Sequence, residues 1–177
     1  MACMALDEVT ERAVRALWEV GTRHGRAPAP TPEADPWEEE DPLGPSRTAA
    51  VVEFPGVPSV VVRLYRDGRD DVLVEDIVEL EVPRRDTVAV VDEVLAGRAR
   101  RRARGGVLWN LLGIVLHNPA PSELVVTVLG PESVRTYEAP LILTVGTGPW
   151  LLSLPLIEDR PRRRRIRRRE DGVTRDG

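Results

Sequence analysis

The sequence predicts an α+β fold: an antiparallel sheet of five to seven strands, a common sheet size, with one packed helix and an appended N-terminal helix. Two patterns and one bulk property lead to it. Val60, Val62 and Leu64, and then Val72, Val74, Val78, Leu80 and Val82, fall at the period of two that a half-buried strand imposes. Residues 8–20 and 88–96 instead carry apolar residues at helical spacing. Hydrophobic residues make up 42% of the 177-residue chain and aromatics only 4%, so there is material for one aliphatic core plus tails.

The first predicted element, within residues 1–25, is a helix. Asp7 is placed to cap it, with Glu8 and Glu11 in or near the first turn, where acids are favoured. Val9, Ala13, Leu17 and Val20 form its apolar stripe, Trp18 flanks it, and Gly21 is placed to end it. Residues 26–47 read as a Pro-rich acidic linker: Pro28, Pro30, Pro32, Pro36, Pro42 and Pro45 exclude both a long helix and a central strand. Trp37 within it fits either packing on its own domain or anchoring to a partner.

The α+β domain is predicted to span residues 48–159. Ala49–Phe54 reads as a strand and Pro55-Gly56 as a turn. Residues 57–65 and 70–82 read as a hairpin turning at Asp67-Gly68, a pair suited to a type I′ turn. Val72, Val74, Val78, Leu80 and Val82 share its apolar parity, and within 72–82 Asp76 is the one polar exception. Asp86 or Thr87 is placed to cap a helix whose buried stripe is Val88, Val91 and Leu95. That helix stops at Gly97 or continues through Arg104. Residues 107–117 fit a helical stripe or a buried strand, and Gly106 and Gly113 favour strand character. Residues 123–129, 137–145 and 150–157 read as further strands, the last two joined by a loop at Gly146-Thr147-Gly148. Residues 160–177 form an Arg-rich tail expected to be disordered.

Charge carries most of the functional information. The chain is lysine-free: all 25 basic residues are arginine. This excludes Schiff-base lysines, Walker-type phosphate lysines and lysine general bases. Residues 1–97 hold 10 Arg and 21 acids, a net of −11, and residues 98–177 hold 15 Arg and 8 acids, a net of +7. Such asymmetry signals a partner or an internal pairing of the two halves. The candidate polyanion-binding residues are Arg98, Arg100, Arg101, Arg102 and Arg104, and the denser run Arg160, Arg162, Arg163, Arg164, Arg165, Arg167, Arg168 and Arg169. The first cluster also suits a solvated helix end, and the second a solvated tail. No aromatic interleaves the second run, so any nucleic-acid binding through it is expected to be weak and sequence-blind.

Catalytic and metal patterns are sparse. His24 and His117 are the only histidines, and no G-x-S-x-G elbow accompanies Ser122. Asp67, Asp70 and Asp71 cluster at the hairpin but lack an EF-hand loop. A nuclease needs a carboxylate pair near a basic residue, and Glu53 facing Asp76 across strands is a candidate pair, without Lys and without a recognisable spacing. Cys3 stands alone, so neither an intrachain disulfide nor a multi-cysteine site can form. No cofactor or metal is expected.

The function predicted is therefore a non-enzymatic binding or adaptor protein that uses charge-asymmetric surfaces toward an unidentified protein partner. A nonspecific nucleic-acid-associated protein and a hydrolase with dispersed catalytic residues are the alternatives. No signal peptide and no integral membrane segment are recognised, and a cytoplasmic location is expected.

Overall fold

A computed structural model describes residues 6–29, 48–103, 122–130, 133–141 and 149–158. The sequence features at Trp37, Arg104, 107–117, 146–148 and 160–177, and all but the first residues of the proline segment, lie outside the described residues.

Helix α1 spans Glu8–Arg23, and the Asp7 carboxylate caps it by accepting from the Val9 and Thr10 amides at 3.0 and 2.9 Å. Its buried face is Thr10, Leu17, Val20 and Gly21, whereas Val9 is 59% exposed. The stripe is thus rotated from the predicted one, because Thr10 is drawn inward by a polar network described below. Gly21 does not end the helix. A Cβ there would lie 2.4 Å from the Arg26 carbonyl oxygen and 2.6 Å from Phe54 Cε1, so glycine permits close packing. The stop is Gly25, at φ +66°. Far from being appended, α1 packs on the second helix and the first strand, with Leu17 and Val20 inside the common core.

Four strands follow: β1 (Thr48–Phe54), β2 (Val60–Tyr65), β3 (Arg69–Val74) and β4 (Val78–Pro83), an antiparallel meander in sequential order. The turn after β2 uses Arg66, Asp67 and Gly68, but among these only Gly68 has positive φ, at +80°. It matches a three-residue connection with a left-handed glycine rather than the predicted type I′ turn. The segment 70–82 is two strands, not one. Glu75 and Asp76, both at φ 54°, turn the chain between β3 and β4, and the Ile77 amide donates to the Val74 carbonyl at 3.2 Å. The ladder restarts at Val74–Val78, so the apolar parity survives the reversal. Val72, Val74, Val78, Leu80 and Val82 are all buried, and Asp76 is polar because it occupies the turn.

Helix α2 spans Arg84–Leu95 and ends at Gly97, φ +68°. Its N-cap is Pro83, without a side-chain cap. Asp86 and Thr87 lie within the helix and are buried together with Val90, Val91 and Val94, while Val88 and Leu95 are only partly buried. The predicted stripe is therefore shifted around the helix. The chain then forms β5 (Arg100–Ala103), β6 (Ser122–Leu129), β7 (Val134–Leu141), a short helix α3 (Pro149–Ser153) and β8 (Leu156–Glu158). Residues 150–157, predicted as one strand, thus begin as helix.

The second sheet has the order β7-β6-β5-β8, with β5 and β8 parallel and the other pairs antiparallel. The predicted single antiparallel sheet is replaced by two four-stranded sheets, one of them mixed. Cα atoms of β4 and β7 approach within 8 Å without a ladder between them. Helix α2 packs on β3, β4 and β6, and α1 packs on α2 and β1, so both helices cover one side of the strands. The core lies between these layers, with Phe54, Leu64, Leu80 and Leu124 among its largest members.

Candidate functional site

The side of the first sheet away from the helices is its least conventional surface. Strand alternation that buries Val62, Val72 and Leu80 turns their neighbours outward. Two cross-strand rows result. One reads Glu53, Val61, Leu73, Glu79, and the next reads Val51, Arg63, Asp71, Glu81. An apolar centre of Val61 and Leu73, both half-buried, is thus flanked by carboxylates on β1 and β4. Ile77, 38% exposed, extends the apolar surface at the turn into β4. Asp71, Ile77, Glu79 and Glu81, together with Pro140 of β7, line a depression.

The electrostatics of this face are negative. Glu53, Asp71, Glu79 and Glu81 stand against Arg63, which sits opposite Asp71 in register. Among the described residues the Glu53 and Glu79 carboxylates have no hydrogen-bond or ion-pair partner. Glu81 meets Arg69 at 3.4 Å with both side chains mostly in water, a pair of little energetic weight. Burial, then the hydrogen bond with Asp71 and its negative charge, push the Tyr65 hydroxyl up to about 12. Tyr65 is therefore a neutral hydroxyl at the margin of the face.

Polar networks on the opposite side hold this surface in place. Asp70 is fully buried and accepts from Arg84 Nε at 2.8 and 2.6 Å and from Thr87 Oγ1 at 2.7 Å. Arg84 also donates to Thr10 Oγ1 at 2.9 Å and to the Tyr65 carbonyl at 2.5 Å. Thr10 in turn donates to Asp7. One connected network thus ties the start of α1, the β2–β3 turn and the start of α2. A second joins α2 to β7: Asp86 accepts from Arg135 at 2.6 and 2.7 Å and from the Tyr137 hydroxyl at 2.5 Å. Burial raises the Asp86 carboxyl, but the hydrogen bonds from Tyr137 and Arg135 and the charges of Arg135 and Arg85 outweigh it and hold the group below the usual range. A third joins the helix ends: Asp92 meets His24 Nε2 at 2.9 Å, Arg23 at 3.0 Å and Arg98 at 3.1 Å.

The candidate residues from the sequence are distributed by these arrangements. Arg98 follows α2 and also pairs with Glu93 at 2.7 Å. Arg100, Arg101 and Arg102 lie on strand β5, not around a helix. Arg102 meets Glu138 at 2.5 Å and Glu123 at 3.7 Å. Alternation separates the acids of the β2–β3 hairpin: Asp70 points to the core and Asp71 to the open face, while Asp67 accepts from the Arg69 amide in the turn. They do not converge, and no group of three metal-ligating side chains occurs among the described residues. Glu53 is in row with Glu79, not with Asp76. Ser122 is buried in β6, and no described helix is long and apolar enough to cross a membrane.

The open face is not among the sites expected from the sequence, although its signal is present there. Val51, Val61 and Leu73 occupy the parity that a sheet open to water on one side fills with polar residues. No protein-family model, curated protein or solved structure matches this chain.

Proposed function

We propose that the protein is a non-enzymatic binding module whose open β1–β4 face receives a cationic segment of a partner protein. The observation that supports this most is the row Glu53, Val61, Leu73, Glu79: an apolar centre between two carboxylates without partners among the described residues. Apolar contact supplies affinity, and carboxylates at both ends select cations and steer their approach. A segment alternating Arg with an aliphatic residue fits both requirements.

The competing proposal is phosphate recognition by the arginine clusters. Arg98 and Arg102 are already paired with acids of their own domain, which leaves this role to Arg100, Arg101 and above all the denser run Arg160–Arg169, whose support is charge density. Fluorescence anisotropy of the full chain separates the two. The probes are a labelled peptide of alternating Arg and Leu, its Glu/Leu counterpart, and duplex DNA. The Arg/Leu peptide is expected to bind, and Glu79→Arg with Glu81→Arg to weaken it at least tenfold. Preference for DNA, unchanged by those substitutions, would reject the face as the recognition surface.

A further inference from the structure

We infer that the open face of the first sheet is occupied by this chain's own arginine segment, Arg160–Arg169, which makes the segment an internal competitor for the partner. The inference rests on the binding face proposed above and names its resident ligand.

Spacing and composition carry it. The run Arg162–Arg169 is interrupted by one apolar residue, Ile166. In an extended chain Arg164, Ile166 and Arg168 project to one side, and the two arginines stand ~13 Å apart at ~3.3 Å per residue. Glu53 and Glu79 terminate a row of adjacent strands with Val61 and Leu73 between them. Three strand spacings of ~4.8 Å separate them by ~14 Å. A segment lying across the strands therefore places Ile166 on Val61 and Leu73 and one arginine on each carboxylate. Guanidinium and carboxylate then form charge-assisted hydrogen bonds at both ends of an apolar contact.

The connection is long enough. From β8 across β5 and β6 to β7 is ~14 Å in strand spacings, and β7 approaches β4 within 8 Å. The stretch from Glu158 to Arg164 covers at most ~22 Å. Arg164 thus reaches Glu79 on β4 nearly fully extended, and the rest of the run continues toward Glu53 on β1. Approach from the β7 side passes Pro140 and the depression it borders. A tether of this kind holds the segment near its site at an effective concentration on the order of millimolar.

The test uses the full chain and a labelled synthetic peptide with the sequence of residues 160–169. The triple variant Arg164→Glu, Ile166→Ser, Arg168→Glu vacates the face. It is expected to bind the peptide about 1,000-fold more tightly than the unaltered chain, as a site of ~1 μM freed from a competitor at ~1 mM would. Adding Glu53→Arg and Glu79→Arg should abolish the gain, and the milder Glu53→Gln and Glu79→Gln should reduce it while leaving the sheet intact. Equal affinity of the unaltered chain and the triple variant overturns the inference, as does a gain that survives the Glu53 and Glu79 substitutions. A dimer in sedimentation that dissociates in the triple variant also overturns it, by assigning the face to a second copy's tail. On the triple variant, binding of the Arg/Leu peptide but not of the 160–169 peptide removes this inference alone, whereas binding of neither removes the face as well.

Discussion

Asp70 and Arg84 form the pair through which a single substitution does most damage. Asp70 is fully buried and its carboxylate is satisfied by Arg84, Thr87 and the Tyr65 amide. Removing one member of a buried pair strands the other charge without water, which costs about 3–5 kcal/mol. Arg84→Ala is expected to lower stability by about that amount in urea unfolding, while Arg12→Ala, whose pair with Glu8 is exposed, should change it by less than about 0.5 kcal/mol. A loss for Arg84→Ala no larger than that for Arg12→Ala would show that the network is not structural. Asp86 gives a pH signature. Its folded carboxyl titrates below the unfolded value, so its contribution is complete above about pH 4 and is lost as pH falls through the folded value. Asp86→Asn should therefore flatten part of the acid limb of the stability–pH curve and leave the neutral region parallel to the parent. These roles were invisible in sequence because alternation only indicates that Asp70 points inward. The partner that makes this tolerable lies 14 residues away, across a turn and a strand.

Elements were legible where local pattern and tertiary context agree. The inward parity of Val72 to Val82 was readable because it survives the Glu75-Asp76 reversal. The reversal itself was not, since neither residue is the Gly or Asn that left-handed backbone favours. Relieving that conflict makes a prediction: Asp76→Gly should stabilise the protein by less than about 1 kcal/mol in thermal or urea unfolding, the strain relieved exceeding the unfolded-chain entropy that glycine adds. Glu75 is not an equivalent target, because its carboxylate accepts from the Ser59 amide at 2.8 Å. A destabilising Asp76→Gly would mean that the Asp76 side chain supports the turn. Arg100–Ala103 shows the reverse case. Arginine and alanine favour helix in isolation, but a slot between β6 and β8 supplies backbone partners on both sides and makes the segment a strand. Propensity also failed at residues 149–153, where a proline in the first helical turn is well placed to start a helix.

For the whole molecule, charge asymmetry was the most useful property of the sequence, and the structure gives part of it an address. The acidic half contributes a sheet face with carboxylates at both ends of an apolar row, while Arg98 and Arg102 of the first arginine cluster pair with acids around them. The division into two sheets was not legible, because joining β5 to β8 in parallel requires a long-range pairing that no local signal announces. The second sheet and α2 bear on the proposed binding indirectly: they fix β4 beside β7, and among the described residues both helices lie on the other side of β1–β4.

Methyl chemical-shift mapping of the full chain, titrated with the alternating Arg/Leu peptide, tests the binding face most directly. Val61, Leu73 and Ile77 should shift in proportion to peptide bound, with the buried methyls of Leu17 and Val90 following weakly or not at all. Shifts centred instead on Leu129 and Val134, the most exposed apolar residues of the second sheet, would contradict the assignment of the β1–β4 face.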